Sequence, residues 1–151
     1  FKELLSKRRK MTREMDEFLQ KMRLCSLCAV FEDEFFPFNA FYAYDERGSN
    51  LIIASGKDSA HGAKFCASLS TKSSICGTIA LDTNVVNLIK GIQIWGEIYS
   101  ADVQDKQIYF NKFPFSRAIN PLLWRIEIQR AKMTDNRIFF GKKQLWRRDN
   151  S

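Results

Sequence analysis

A mainly β chain, folded as a small antiparallel barrel with flanking helices, is the expected fold class, and three observations predict it. Six or seven short stretches are rich in β-branched and aromatic residues and are bounded by turn signals. Several of them carry apolar side chains on both faces, which a sheet with one solvated side does not need. Only two or three helical periodicities separate them, so the strands must close largely on each other. With 151 residues, 45% of them apolar and 13 of them Phe, the chain can bury a core as one domain. Disorder is excluded away from the ends. The division expected is an N-terminal helical segment over residues 1–23, packed on a barrel formed by residues 24–151.

From Lys2 to Met22 the apolar residues Leu4, Met11, Met15, Phe18, Leu19 and Met22 recur at helical spacing, interrupted near Thr12. The methionines read as core filler rather than ligands. Leu24 to Phe31 is a first strand with no polar alternation apart from Ser26, so burial on both faces is expected. Glu32-Asp33-Glu34 turns the chain. Pro37 begins a second strand, a place where a missing N–H is tolerated, and the strand runs to Tyr44. Asp45-Glu46-Arg47-Gly48 is short enough for a hairpin, and the third strand follows it to Ser55. Ser59 can cap a helix over Ala60 to Leu69, whose first amides would suit a phosphate.

Ser73 to Leu81 is a fourth strand, with a turn at Asp82-Thr83-Asn84, and Lys90 to Tyr99 is a fifth, with Ile92, Ile94, Gly96 and Ile98 on one face. Asp102 caps a helix over Val103 to Lys112, with Val103, Ile108 and Phe110 expected inward. Phe115 to Pro121 is a connector. Leu122 to Gln129 alternates as a sixth strand, and Lys132 to Thr134, Asp135-Asn136 and Arg137 to Phe140 make a last hairpin. Trp95 and Trp124 read as barrel or interface packing.

The net charge of +7 sits at the ends. Residues 1–23 hold eight Lys or Arg against four acids and residues 137–151 hold five against one, while residues 24–136 hold eleven against twelve. A nucleic-acid domain would spread positive charge over one face, so Lys7-Arg8-Arg9-Lys10 reads as a solvated helix face. The alternative, polyanion binding through the basic ends, predicts affinity that falls steeply with salt. No run approaches the roughly eighteen apolar residues of a membrane span, and the basic start lacks the apolar core of a signal peptide. A cytoplasmic location is the default.

The chemistry is narrowed by elimination. With His61 the single histidine, two-histidine metal motifs are absent. Cys25 and Cys28 lie on opposite sides of a strand and should not share a metal, and Cys66 and Cys76 supply no second pair of zinc-ribbon form. All four cysteines read as buried small hydrophobes of a reducing compartment. No dinucleotide fingerprint, P-loop or nucleophile elbow occurs. What stands out is a corner, Ser55, Lys57, Ser59 and His61, where two hydroxyls and two nitrogen bases fall within seven residues.

Tyr44-Asp45-Glu46-Arg47-Gly48, the apolar strand after it, Ser55 and Ser59-Ala60-His61 together resemble the flavin-binding hairpin of the pyridoxamine 5'-phosphate oxidase-like FMN split barrels. A closer resemblance is to the YhbP-like family of small bacterial proteins. It rests on Asn39-Ala40-Phe41-Tyr42, Gly91-Ile92-Gln93, Gly96-Glu97-Ile98, Asn111-Lys112-Phe113-Pro114, Thr134-Asp135-Asn136 and Phe140-Gly141-Lys142-Lys143. The resemblance implies a six- to seven-stranded antiparallel split β-barrel, a homodimer with FMN at the subunit interface, and a flavin-dependent oxidoreductase of unknown substrate. It places Phe38, Asn39, Ala40, Phe41 and Tyr42 along the isoalloxazine ring and Ser55 and Ser59 on the phosphate. His61 falls in place of the family's phosphate-binding Lys, Lys57 is a compensating cation, and Lys142 is a late basic residue reaching the ligand. Ala60 and Pro37 fall where the oxidases carry arginines, which argues against pyridoxamine-phosphate oxidation itself. The alternative is a non-catalytic split barrel that binds haem, another ligand or none.

Overall fold

The computed structural model describes residues 10–56, 62, 73–137 and 143–149. Helix α1 spans Arg13–Lys21, and seven strands follow: β1 (Leu24–Phe31), β2 (Glu34–Asp45), β3 (Asn50–Ser55), β4 (Ser73–Ala80), β5 (Lys90–Ser100), β6 (Leu122–Asp135) and β7 (Lys143–Arg147). Helix α2 (Val103–Lys112) lies between β5 and β6. The strands run in the order β3-β2-β1-β4-β5-β6-β7, all neighbours antiparallel, and β3 also pairs with β6. Strands β1 to β6 therefore close a six-stranded barrel, and β7 is an additional strand on the outer edge of β6. The helix expected over residues 60–69 lies outside the described residues.

The interruption near Thr12 is a helix start. The Thr12 hydroxyl accepts from the Met15 amide at 3.3 Å and donates to Gln144 at 2.6 Å, so one side chain caps α1 and ties it to β7. The helix then buries Met15, Phe18 and Leu19 in the core formed by Leu51, Ile53, Ile92, Ile94, Ile126 and other barrel residues. Two tyrosines of β2 fasten it from below. Tyr42 donates to the Leu19 carbonyl at 2.8 Å and Tyr44 to the Asp16 carboxylate at 2.6 Å.

Strand β3 is buried on both sides because it has two partners: Leu51 and Ile53 face the barrel, while Ile52 joins Ala43, Tyr109 and Leu123 under α2. Strand β1 departs from the expectation of two-sided burial. Its Cys25, Leu27 and Ala29 are inside, but Leu24 and Ser26 are exposed and Cys28 is half-exposed, because no helix covers this wall among the described residues. Cys76 is half-exposed as well, so only Cys25 of the described cysteines behaves as the buried hydrophobe expected of all four. Cys66 lies outside the described residues.

Pro37 sits in the body of β2 rather than at its start, and the ladder explains why it is tolerated. The Tyr42 amide bonds the Arg23 carbonyl directly opposite, so hydrogen bonds between β1 and β2 fall at every second residue from there. Pro37 opposite Cys28 is out of phase with them. Its absent N–H would have pointed away from β1, on a stretch where β2 has no pairing to β3.

Strand β6 is longer than its alternation suggests. Ile126 and Ile128 are inward, then Ala131 and Met133, a change of phase that reads in sequence as a strand end. It is a β-bulge: the register with β5 shifts between Trp95 and Gly96 and pairing then continues to Asp135. Lys132 to Thr134 therefore belongs to β6, and Lys143–Arg147 pairs with it as β7, while residues 138–140 of the strand expected over Arg137 to Phe140 lie outside the described residues. In α2, Asp102 and Asp105 form a reciprocal capping box, and the face that turns inward carries Asp105 and Tyr109. Val103 is left 73% exposed, while Ile108 and Phe110 pack at the margin.

Asp135 ends β6 almost fully buried, paired with Arg137 at 3.2 Å and Lys90 at 3.7 Å. Burial pushes its carboxyl up, but the Arg137 side chain and amide, with the Lys90 charge, more than offset this and hold it below the usual aspartate range. A depressed folded-state value means stability present above the unfolded pKa and lost as pH falls through the folded one. Asp135→Asn should thus cost about 2 kcal/mol near pH 7, the worth of a charge-assisted hydrogen bond, with the gap from the parent closing below about pH 4. Urea unfolding of both chains across pH checks this.

Candidate functional site

Strands β2 and β3 pair only over Tyr42–Asp45 and Asn50–Ile53, and beyond Tyr42 they separate. Strand β3 turns to β6, reaching Ser55 opposite Leu122, while β2 stays on β1 back to Glu34. The gap exposes the β3-facing edge of β2 at Asn39 and Phe41, next to the end of β3. At the far side, Ala54, Ser55, Gly56, Ile119, Asn120 and Pro121 line a cleft of about 430 Å³. That is within the range of cofactor pockets.

Alternation decides what each residue of β2 can offer here. Ala40 and Tyr42 are buried in the barrel core and Phe38 packs against it, so towards the gap they can present backbone alone. Asn39 and Phe41 point outward. The Asn39 side chain accepts from the Ser26 hydroxyl across the strand at 2.7 Å, which fixes its orientation. Phe41 is 54% exposed, with its ring 5.9 Å from that of Phe113.

Ser55 is buried, and its hydroxyl accepts the Trp124 indole N–H at 2.7 Å. A hydroxyl that accepts one bond keeps its own hydrogen to donate, so Ser55 is oriented rather than consumed by this contact. Trp124 thereby does more than pack. Lys57, Ser59, Ala60, His61 and Lys142 lie outside the described residues; of the rest, Asn39 and Phe41 stand on the outer face of β2 and Ser55 on the barrel-facing side of β3 beside Trp124.

Lys112, at the last turn of α2, belongs to the Asn111-Lys112-Phe113-Pro114 block of the resemblance but is not among the expected ligand-binding residues. Its ammonium donates to the Met22 carbonyl at 2.6 Å and lies 4.9 Å from the Tyr42 ring centre and 5.7 Å from that of Phe113. Burial, with the nearby Arg23 charge, lowers its pKa. A half-buried cation therefore stands beside the Phe41–Phe113 pair, brought there from residues far along the chain.

A second polar cluster is structural. Arg125 of β6 reaches Asp102 at 3.3 Å, Asp105 at 3.1 Å and Glu127 at 3.3 Å, linking α2 to the barrel. Burial raises the Asp105 carboxyl in spite of this pairing. Tyr99 donates to Glu97, and that bond with burial pushes its hydroxyl up to about 12, away from any role as an acid near neutrality. Among the described residues no three His, Cys, Asp or Glu side chains gather as a metal site, and no helix is long and apolar enough to cross a membrane.

Comparison with known proteins places this architecture. Among solved structures, a haem binding protein from Mycobacterium smegmatis superposes with a TM-score of 0.68 at 9% identity, over 91% of this chain and 59% of that one. A FAD-binding protein from Mesorhizobium loti superposes with a TM-score of 0.60 at 12% identity, over 84% and 96%. A Listeria innocua protein with a provisional pyridoxamine 5'-phosphate oxidase name superposes at 0.62 and 14% identity, over 81% and 96%. At these identities the likeness is one of fold, and the fold is the pyridoxamine 5'-phosphate oxidase-like split barrel. No family model matches the sequence. Whole-chain relatives do: a UPF0306 protein of Yersinia enterocolitica is 33% identical over 135 residues, covering 87% of this chain and 89% of the relative. The UPF0306 protein YhbP of Shigella sonnei is 30% identical over 141 residues, covering 90% and 92%. With near-complete coverage on both sides, the chain belongs to the UPF0306 (YhbP) family, built on the split-barrel fold.

Proposed function

We propose that this chain is a homodimeric FMN-binding split-barrel protein and acts as a flavin-dependent oxidoreductase. The observation that supports this reading is the parting of β2 from β3 beyond Tyr42, which leaves an open strand edge beside the exposed Phe41 ring, while Ser55, oriented by Trp124, ends β3. A flat, polar-edged ring system fits such a gap, because backbone groups can bond its rim while an aromatic covers its face. The residues present therefore fit a flavin. Flavin supplies the hydride and electron chemistry itself, so the protein need only bind, orient and shield it.

In this reading Asn39, Phe41 and the backbone of Phe38 to Tyr42 flank the ring, and Ser55 donates toward the phosphate. Ser59, His61, Lys57 and Lys142 supply the rest of the phosphate site, as the family resemblance implies. A second copy completes the site from the other side. Leu24, Phe41, Phe115 and Ile119 are exposed apolar residues, and such surface favours a partner.

The test is a fluorescence titration of the cofactor-stripped protein with FMN, with light scattering to read the oligomer. Saturable binding at about micromolar Kd or tighter is expected, weakened roughly tenfold by Phe41→Ala, equivalent to about 1.4 kcal/mol. A dimer mass should accompany it. If the unmodified protein leaves FMN fluorescence unchanged, the flavin reading fails, and a Soret band on adding haem would replace it with a haem-binding one.

A further inference from the structure

Two cysteines that lie 48 positions apart in the sequence are direct neighbours on the barrel wall. Cys28 of β1 and Cys76 of β4 are paired in register, and both are half-exposed. Their chain neighbours Leu27, Ala29 and Ile75 are buried, so both thiols project from the outer face. We propose that Cys28 and Cys76 form a dithiol modification site, which low-molecular-weight disulfides such as oxidised glutathione convert to a cross-strand disulfide.

The ladder gives the geometry. Tyr42 bonding Arg23 puts the even-numbered residues of β1 in phase with β4, and the Leu81 amide bonding the Lys90 carbonyl puts the even-numbered residues of β4 in phase with β1. Both assign Cys28 and Cys76 to a hydrogen-bonded pair. Such a pair has its Cα atoms about 5.5 Å apart, inside the span that a disulfide bridges. Its Cβ atoms, about 5 Å apart, must move closer to make the bond. The bridge should therefore close on oxidation and open readily on reduction, the behaviour of a labile disulfide rather than a structural one.

The surroundings allow exchange. The residues flanking the pair on these two strands, Ser26, Val30, Ser74 and Thr78, are uncharged, and Trp95 stands opposite Cys76 on β5 with the Arg130 guanidinium 4.0 Å from its ring centre. Cys25 has the opposite character. It is buried, donates to the Ala40 carbonyl at 3.3 Å, and burial pushes its thiol up to about 12, so it should stay inert.

In the reaction, one protein thiolate attacks oxidised glutathione, forming a mixed disulfide and releasing one glutathione thiolate, which takes up a proton. The second protein thiolate attacks the mixed disulfide, closing the Cys28–Cys76 bond and releasing the second glutathione. Two electrons pass from the protein thiols to the glutathione disulfide, and the two thiol protons end on the released glutathiones.

The experiment treats the reduced full chain with excess oxidised glutathione and follows intact mass, a non-reducing peptide map and tryptophan fluorescence. Loss of two hydrogens, a single cross-linked peptide pair containing Cys28 and Cys76, a change in emission and full reversal by dithiothreitol are expected. Cys28→Ser and Cys76→Ser should each stop the cross-link and retain one glutathione on the remaining thiol, while Cys66→Ser should react as the parent does. A parent that stays reduced, stops at stable glutathione adducts, pairs through Cys66 or links two copies overturns the proposal. Because the proposal rests on strand register, its outcome is independent of flavin binding.

Discussion

Gly77→Ala is expected to lower stability by about 3 kcal/mol and Tm by roughly 6–12 °C, the overpacking cost at the upper end of its usual range. A β-carbon at Gly77 would lie 2.2 Å from the Ser26 carbonyl oxygen, 2.7 Å from Leu27 Cδ2 and 2.9 Å from Leu27 Cα. Two of these three atoms are backbone of β1, which cannot yield locally because its other edge is paired along its whole length with β2. Relief therefore requires parting β1 from β4 in a closed barrel, where no free edge can absorb the shift. Glycine ordinarily weakens a strand by about 0.5–1 kcal/mol relative to alanine, so its presence in mid-strand marks a close backbone approach. Gly91→Ala is the control. Its nearest foreign atom would be 3.4 Å away, an ordinary contact, and the change should stay within about 0.5 kcal/mol. Parallel thermal and urea unfolding of the two variants decides the matter, and equal stabilities would show that the barrel wall can give where the geometry says it cannot.

Local pattern carried most of the fold. The strands Asn50–Ser55 and Lys90–Ser100 and the Asp102 cap are legible because alternation and capping need only near neighbours in sequence. The β2–β3 hairpin is legible for the same reason, and it fixes which faces Asn39, Phe41 and Ser55 occupy, while their role toward a ligand rests on the resemblance. Failures arose where partner strands decide. The phase change at Gln129 reads as a strand end until pairing with β5 shows it to be a bulge in β6, opposite the step from Trp95 to Gly96. The tolerance of Pro37 depends on which edge of β2 is paired. The approach of Cys28 to Cys76 is a matter of register, which spacing within the sequence does not encode. Lys112 enters the site only because α2 lies against β2, and Val103 faces solvent because the capping box rotates Asp105 inward.

Arg148→Met is expected to cost about 3 kcal/mol, the worth of one or two charge-assisted hydrogen bonds to partly buried acceptors. Arg148 follows β7, and its amide bonds the Gln129 carbonyl at 2.8 Å, carrying the ladder one residue past the strand. Its Nε donates to the Ile128 carbonyl at 2.8 Å, and Nη2 reaches the carbonyls of Gly48 at 2.8 Å and Ser49 at 3.0 Å. One guanidinium thus joins β6 to the loop between β2 and β3. That loop needs a clasp: Ser49 holds a positive φ of 54° without being glycine, a conformation that is unfavourable unless its surroundings enforce it. Methionine keeps much of the apolar stem but loses the donors together with the guanidinium's position 5.6 Å from the Trp146 ring centre. Lysine restores the charge but not the fork, and Arg148→Lys should recover less than half of the lost stability. Hydrogen exchange locates the effect: protection should fall first at the Ile128 amide, which bonds the Ser49 carbonyl at 3.3 Å, while amides of the β1–β4 pairing change only with global unfolding. Uniform loss across the barrel with no local signature at Ile128 would mean that Arg148 acts on overall packing, and the loop would then hold its strained turn unaided.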